Sequence, residues 1–484
     1  MYKIGFSGEK YLKVQSKKIS ERIEQYEKLY LEFGGKLFDD MHGSRVLPGF
    51  DPNMQISLLQ KMSDKVEIIL TISSEDIDTN RIQGDSNLKY ADHLVHMVSK
   101  LRGYGLYVSS VVIIKFVPSK AIDAFRKKVE PLGIEIYTHY TIDGYPTNIE
   151  LTISDEGFGK NDFVKTKRPL VVVSAVGAKS GKMATCMSQL YHEYKNGKKA
   201  GYAKFEKFPV WNLALQHPVN IAYEAATTNI NDRNMIDPFH LDAHSEVAVN
   251  YNRDIEAFPV LSAMFEKMWG ESPYKSPTDM GVNMIKDCII DEAVCEEASK
   301  QEIVRRFFTK VVEEHLEGDK EDEIEHLRYL MLKVGVSPYS REVVGVATEK
   351  RKDSKEHAVA LQLSDGHMVS GRTTSMLTAS ASVLLNALKY LAKIDDGFDI
   401  ISKNITEAVR ELNEQMGMDN YLLTPSDVLI ALSAGKVSNS MAEKAIGKLP
   451  LLKHGQGHST TLLNEGTMDV FKRLGIDMSC MVGE

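Results

Sequence analysis

The chain has 484 residues, of which 43% are hydrophobic and 26% charged, and its formal net charge is −8. This composition is that of an ordinary folded protein and excludes collagen-like, disordered and disulfide-scaffold classes. The length predicts roughly three domains, and the mild acidity disfavours nucleic-acid or membrane-surface binding.

The sequence shows no sign of a targeting or membrane-spanning segment. The N-terminus carries no apolar segment after a basic start, and no apolar run reaches the roughly 18 residues of a membrane span. The four cysteines show no paired spacing and no C-x-x-C metal motif. We therefore expect a cytoplasmic protein with reduced thiols, with neither membrane nor nucleic acid as a partner.

The first part of the chain alternates β-rich runs with helical patterns, which predicts a mostly parallel α/β sheet. The predicted strands cover residues 3–6, 66–72, 108–116, 134–140 and 169–174. The predicted helices between them cover residues 16–29, 54–62, 93–101 and 121–129. We place this α/β domain at residues 1–235.

Within this domain, segment 174–185 has the order of a phosphate-binding loop: a buried strand, a glycine-containing turn and a helix. Gly177 and Gly181 would turn backbone N–H groups inward, and Lys182 would add a positive charge beside the positive end of the helix dipole. The predicted ligand-binding residues are Gly177, Lys179, Ser180, Gly181, Lys182 and Thr185.

The match to the G-x-x-x-x-G-K-[ST] pattern is imperfect. Val176 stands at the first glycine position, and Met183 replaces the hydroxyl residue that would hold Mg²⁺, although Thr185 or Ser180 could substitute for it. Two cofactor interpretations follow: a nucleotide with Mg²⁺, or a simple anion. A glycine-lysine turn that merely enters an ordinary helix is the structural alternative.

Two basic residues near the N-terminus are candidates for substrate binding. Lys36 follows a Gly-Gly pair, and Arg45 lies in a predicted Pro/Gly-containing loop at residues 44–53. If the sheet is doubly wound, such loops line the crevice at the strand ends where ligands bind. A surface turn would explain the same residues without a ligand.

The pattern becomes helical in the middle of the chain, which predicts a helical domain at residues 236–340, including a helix at 291–316. There, His240 and His244 are one helical turn apart and could contact one metal ion. Because two histidines without a third ligand rarely define a site, we interpret them as a polar helix start capped by Asp237 and predict no metal.

A polar cluster at residues 250–254 precedes an apolar run. Arg253 could bind a phosphate or carboxylate through two N–H groups, with Asp254 as a candidate base and Asn252 as a further substrate contact. We therefore predict Arg253 and Asp254 as catalytic residues. A structural ion pair accounts for the same residues almost as well.

The last part of the chain, residues 341–484, is predicted to be a second α/β domain. Asp365 and Gly366 separate two alternating runs within 357–371, which is a strong signal for a β-hairpin. A helix is expected at residues 375–393.

Five long strings point to a known family: SGKMATCMSQLYHE, AGYAKFE, HPVNIAYEAAT, NYNRDIEAFPVL and SPYKSPTDMGVN, at residues 180–193, 200–206, 217–227, 250–261 and 272–283. On these strings the chain resembles, over essentially its whole length, the bacterial proteins grouped as domain of unknown function 1846. The resemblance implies a cytoplasmic multidomain protein with an α/β N-terminal part and a helical middle. It also implies a more glycine-rich loop, from which Ala175, Ala178 and Lys179 depart.

The same resemblance implies a C-terminal domain similar in fold to cytidine deaminases. Zinc deaminases keep a His/Cys-x-Glu motif after the hairpin and a P-C-x-x-C pair on the next helix. The corresponding helix start here reads MLTASAS at residues 376–382, and the chain contains no P-C-x-x-C. We therefore expect a deaminase-like fold that lacks zinc ligands and serves as a scaffold or binding pocket.

Two functions are consistent with these patterns. In the first, the protein binds a nucleotide or small phosphorylated metabolite and catalyses a transferase- or ligase-type reaction. In the second, the same pockets bind a ligand without turnover, in a sensor or assembly protein. A homodimer or higher homo-oligomer is expected only from the frequency of such assemblies among bacterial enzymes.

Overall fold

In a computed structural model, the structure describes residues 2–82, 88–177, 180–418 and 421–482. Its internal contacts divide the chain into two compact units. The first, called here the sheet unit, consists of Gly5–Glu224 and Asn231–Cys295; the second, the C-terminal unit, consists of Met1–Ile4, Ala225–Ile230 and Glu296–Glu484. The three-domain division remains a prediction.

The sheet unit is built on six parallel strands in the order β4-β3-β2-β5-β1-β6. The mixed α/β class with a parallel sheet is therefore as predicted. The strands are β1 (Lys28–Phe33), β2 (Val66–Ser73), β3 (Tyr107–Ile114), β4 (Glu135–Thr138), β5 (Leu170–Ala175) and β6 (Ala200–Phe205).

Helices connect these strands, and a short antiparallel ribbon of β7 (Asn234–Ile236) and β8 (Val249–Tyr251) follows. The helices are α1 (Gly8–Ile23), α2 (Met41–Val46), α3 (Met54–Lys61), α4 (Ser74–Asp78), α5 (Tyr90–Gly103), α6 (Lys120–Val129), α7 (Ile149–Thr152), α8 (Lys182–Lys195), α9 (Pro218–Ala226), α10 (Pro238–His244), α11 (Asn252–Trp269) and α12 (Pro277–Met280).

The sheet is covered on both faces, as expected for parallel strands made of near-continuous apolar runs. Helices α1, α3, α5 and α6 pack on one face, whereas α8 and α11 pack on the other. The connection from β2 to β3 thus runs over one face, and that from β5 to β6 runs over the other. Strands β2 and β5 are neighbours, so their carboxyl ends form a topological switch point, where doubly wound sheets bind ligands.

One strand prediction and one helix boundary need correction, and two strands were not predicted. Residues 3–6 form no strand; Phe6 makes only an isolated bridge to Ile289. The predicted helix at 16–29 ends at Ile23, and its last residues enter β1. Strands β1 and β6 escaped prediction because Glu32 and Lys204 interrupt their apolar patterns. These two charged residues are directly paired across the strands, so their charges lie side by side.

The C-terminal unit has a four-stranded sheet in the order β10-β9-β11-β12. Only the pair β11 and β12 is parallel. The predicted hairpin joins β9 and β10, with Gly366 at φ 90° in its turn. The elements from residue 292 onward are α13 (Glu292–Glu317), α14 (Glu321–Lys333), α15 (Glu342–Ser354), β9 (Ala358–Gln362), β10 (Met368–Arg372), α16 (Ala379–Ala392), α17 (Lys403–Gln415), α18 (Pro425–Gly435), α19 (Ser440–Ile446), β11 (Gly455–Ser459), α20 (Glu465–Arg473) and β12 (Ile476–Cys480).

The residues that the structure describes contain neither a membrane-spanning helix nor a disulfide. None of the helices found in them combines the length and the apolar character that a membrane crossing requires. The cysteines form no disulfide and are all buried: Cys186, Cys288, Cys295 and Cys480.

Candidate functional site

The loop between β5 and α8 lies at the carboxyl end of the sheet, beside the switch point. Gly181 precedes α8 in a left-handed conformation, φ 70°, and within the described part of the chain no side chain caps this helix. The Ser180 hydroxyl instead donates to the Gly177 carbonyl at 2.5 Å. The first-turn N–H groups of α8 and its positive dipole end are therefore available to an anion.

Three more predicted residues belong to this loop. Lys182 is the first residue of α8 and is half-buried. Thr185, one turn further on, is fully buried, and its hydroxyl makes no hydrogen bond to any residue the structure describes. Lys179 lies outside the described residues. The loop thus offers one cation and one buried hydroxyl close to the N-terminus of a helix.

A buried ion pair lies at the neighbouring strand ends. The Lys204 ammonium of β6 is 2.5 Å from Oδ1 and 2.6 Å from Oδ2 of Asp254, at the start of α11. It also lies 3.3 Å from Oε1 of Glu206 and donates to the Tyr251 hydroxyl. Burial lowers the pKa of Lys204, but the surrounding carboxylates outweigh it and hold that pKa above its ordinary value.

Glu206 follows β6 directly and is the most perturbed carboxyl of this cluster. Its burial, together with the negative charges of Asp254 and Glu32, raises the pKa of Glu206, although Lys204 opposes the shift. Gly34, just after β1, allows this close packing, since a Cβ there would lie 2.8 Å from Glu206 Oε1. A carboxyl group whose pKa is raised toward neutral pH in this way is suited to proton transfer.

Arg253 lies at the edge of the same cluster. Its Nη2 atom is 3.1 Å from Asp232 Oδ2, and the guanidinium stacks on the Tyr251 ring with its carbon 5.2 Å from the centroid. The side chain is 51% exposed, so it can also contact a ligand. The side-chain Oδ1 of Asn252 accepts from the Arg233 backbone N–H at 2.9 Å and so holds the turn that leads into α11.

The predicted basic residues between β1 and β2 follow the same sheet edge. Lys36 is exposed in the turn after β1, and Arg45 is half-buried. The segment at 44–53 is not entirely a loop, because Arg45 lies in α2. That helix begins after Asp40, whose carboxylate pairs with Lys207.

The loop and the ion-pair cluster are electrostatically connected. Burial raises the pKa of the Cys186 thiol; the charge of Glu32 adds to this shift and that of Lys182 opposes it. The Tyr202 hydroxyl donates to Glu32 Oε2 at 2.6 Å, and the pKa of Tyr202, raised by burial, responds to Glu32, Cys186 and Asp254. The carboxyl ends of β5, β1 and β6 therefore place the loop and the ion-pair cluster on the same edge of the sheet.

The sequence did not reveal the residues at the centre of this site, namely Glu32, Lys204, Glu206, Tyr251 and Asp232. One signal was available: Glu206 and Lys207 follow an apolar run and stand where a parallel strand would expose its end. Because β6 was not predicted as a strand, these two residues could not be placed at a strand end.

Comparison with known proteins adds the family. The description "Domain of unknown function DUF1846, N-terminal" matches residues 4–335, and "Domain of unknown function DUF1846, C-terminal" matches residues 339–482. The chain belongs to the DUF1846 family. The resemblance found from the five strings is thereby confirmed, and the family's name states no reaction.

Relatives of this DUF1846 chain are similar over nearly its whole length. A "UPF0371 protein" of Clostridium botulinum strain Langeland is 49% identical over 489 residues, covering 99% of this chain and 97% of the relative. One from Clostridium tetani is 48% identical over 489 residues with the same coverage. "UPF0371 protein SpyM50764" of Streptococcus pyogenes is 45% identical over 481 residues, again with the same coverage.

Proposed function

We propose that this DUF1846 protein binds a small phosphorylated ligand, a nucleotide or a phosphometabolite, at the carboxyl edge of its six-stranded sheet. The phosphate would accept hydrogen bonds from the first-turn N–H groups of α8 and pair with Lys182. The observation that carries the proposal is the start of α8 beside the β2/β5 switch point, which no side chain among the described residues caps.

The surrounding charges support a small anion rather than a polyanion. The chain as a whole is acidic, with a net charge of −8, and the carboxylates of Glu32, Glu206 and Asp254 lie around the ion-pair cluster. A long phosphate backbone crossing this edge would meet these negative groups. A single phosphate on α8 would contact Lys182. A second anionic group of the same ligand would contact the half-exposed Arg253.

A transferase- or ligase-type reaction is the catalytic form of the proposal. The sequence predicts Asp254 as a base, but its carboxylate is held by Lys204, which makes Asp254 a positioning residue for that ammonium. Glu206 is the better proton acceptor, since its pKa is raised and it lies in the same cluster. Arg253 would hold the anionic substrate.

A ligand-sensing protein without turnover is the second candidate. Met183 occupies the loop position at which a nucleotide-hydrolysing protein would hold Mg²⁺ with a hydroxyl. The C-terminal unit fits this view, because its hairpin is followed by α16, whose start at residues 378–382 carries no His, Cys or Glu. The expected deaminase-like outline would then act as a scaffold.

Binding is tested by calorimetry and thermal shift with ATP, AMP, pyrophosphate and inorganic phosphate, with and without Mg²⁺. We expect stabilisation by at least one of these, and at least about tenfold weaker binding in Lys182→Ala, because one charge-assisted contact is lost. Lys198→Ala, which removes an equal charge from an exposed residue beyond the other end of α8, is the matched control. Failure of every phosphate compound to bind overturns the proposal.

Turnover separates the enzyme from the sensor. The bound compound is incubated with candidate acceptors, and phosphorus NMR follows its conversion. Product formation that is lost in Glu206→Gln supports the catalytic form. Binding with no product, and with Glu206→Gln changing affinity alone, supports the sensor.

A further inference from the structure

A second polar cluster lies in the sheet unit, outside the site described above. His240 and His244 stand one turn apart in α10, and Asp279 lies in the first turn of α12. Each of the three side chains offers one ligand atom, and these atoms all lie within 4.8 Å of one another. The third ligand that the sequence did not reveal is thus supplied by a helix 35 residues further along the chain.

The two helices that carry these residues are fixed to each other by shared caps. Asp237 caps α10 through Oδ1, which accepts from Phe239 and His240 at 3.0 and 3.1 Å, while its Oδ2 accepts from both N and Oγ1 of Thr278 in α12. Ser276 caps α12 by accepting from Asp279 N at 3.0 Å. The three candidate ligands are therefore held in place by the backbone, which lowers the ordering cost of binding an ion.

The histidine contacts are those of a ligand set. His244 Nε2 is 3.0 Å from Asp279 Oδ1. His240 Nδ1 is 3.7 Å from the same oxygen but bonds Ser276, so Nε2 is the His240 nitrogen that remains for an ion. Donors that share a zinc ion at 2.0–2.2 Å are about 3.4 Å apart in tetrahedral geometry. The candidate ligand atoms lie within 4.8 Å of one another, so side-chain rotations that shorten these distances would bring all three onto one ion.

His240 itself points to a missing partner. Its side chain is only 8% exposed, and its Nδ1 shares a hydrogen bond of 2.9 Å with Ser276 Oγ. Its Nε2 is buried and makes no hydrogen bond to the residues that the structure describes. Hydrogen bonding of one ring nitrogen while the other is left for an ion is the usual arrangement of a metal-bound histidine.

We propose that His240, His244 and Asp279 form a binding site for a divalent transition-metal ion such as Zn²⁺, Co²⁺ or Mn²⁺. Two imidazoles and one carboxylate are a common ligand set for such ions and leave further coordination positions to water or a small ligand. His244 is 36% exposed and Asp279 23%, so these positions open toward solvent. The site is independent of the proposed phosphate site.

The test uses the untagged full-length protein, stripped with a chelator and titrated with Zn²⁺ by calorimetry and with Co²⁺ by visible absorption. We expect one ion per chain. His244→Ala and Asp279→Asn should each weaken binding at least about tenfold, the scale seen when metal-site residues are changed. Asp279→Asn keeps an oxygen that can accept the Lys275 N–H bond, so the local fold is retained.

The matched control is Asp242→Asn, an exposed carboxylate on the same helix. It should change affinity by no more than about twofold, because a screened surface charge is removed without loss of a ligand. Lys182→Ala should bind zinc as wild type does. The proposal is overturned if the wild type binds neither ion, if His244→Ala and Asp279→Asn bind as tightly as wild type, or if cobalt shows thiolate charge-transfer absorption.

Discussion

Lys204 and Asp254 form a buried ion pair in which one ammonium lies within 2.6 Å of both carboxylate oxygens. The two residues come from β6 and α11, so the pair joins the sheet edge to the helix that covers it. Their side chains are 11% and 12% exposed, respectively. Neither charge can therefore regain full hydration if its partner is removed.

Lys204→Met should consequently destabilise the protein strongly. Removal of one partner of a buried pair costs about 3–5 kcal/mol, because the other charge remains unpaired in a poorly hydrated place. Chemical denaturation followed by tryptophan fluorescence measures the loss. Lys17→Met, which breaks an exposed pair with Glu21 in the same unit, is the control and should cost less than about 1 kcal/mol. Equal losses of stability in the two variants would contradict the assignment of Lys204 and Asp254 as a buried ion pair.

Glu206 should make stability fall as the pH rises. Burial and the neighbouring carboxylates raise the pKa of Glu206 from 4.5 to about 7, so the folded state keeps a proton that the unfolded state has lost. This contribution is fully present below the unfolded pKa and disappears as the pH passes the folded one. Relative to Glu206→Gln, the wild-type melting temperature should therefore decrease between about pH 5 and pH 8. A constant difference in melting temperature between wild type and Glu206→Gln across that range would exclude the raised pKa of Glu206.

Asp40 should make the stability of the protein fall as the pH falls. Burial alone would raise its pKa, but Lys207 and the Gly43 N–H outweigh it and lower the pKa of Asp40 from 3.8 to about 2. Its stabilising contribution is present above the unfolded pKa and is lost as the pH falls through the folded one. The stability difference between wild type and Asp40→Asn should therefore narrow from about pH 5 toward pH 3, as followed by thermal melting.

Gly181→Ala should disturb the loop before α8. An alanine at φ 70° costs about 1–2 kcal/mol, and its Cβ would lie 2.6 Å from Ile114 Cδ1. We expect a lower melting temperature and weaker phosphate binding. Gly197→Ala has the same backbone cost at φ 72° but no atom within 4 Å of the new Cβ. It should lower stability less and leave phosphate affinity unchanged; a loss of affinity equal to that of Gly181→Ala would contradict the loop's role.

The fold was predictable where strands are rich in Val and Ile. β2 and β5 consist almost entirely of buried residues, and their Val/Ile-rich runs are visible without any partner. β1 and β6 were not predictable, because Glu32 and Lys204 resemble surface residues until the strand register shows them side by side. Charge compensation between strands is a property of the pairing, which one segment alone does not display.

The candidate site was predictable only in its local parts. The turn at residues 177–182 is contiguous, so spacing alone suggested it. Asp254 was recognised as a reactive group, but its ammonium partner lies 50 residues away, and the partner determines its role. Likewise, His240 and His244 are visible as a pair, while Asp279 joins them only through the packing of α10 and α12.

The position of β1 within the sheet has a consequence for biosynthesis. Its two neighbours are β5 and β6, whose residues follow it by well over a hundred positions. At about 5–20 residues per second, the ribosome needs roughly seven to thirty seconds to deliver β5 after β1. Throughout that interval Leu29, Tyr30, Leu31 and Phe33 have no sheet to join, so the nascent chain carries an unpaired apolar segment that chaperones can bind.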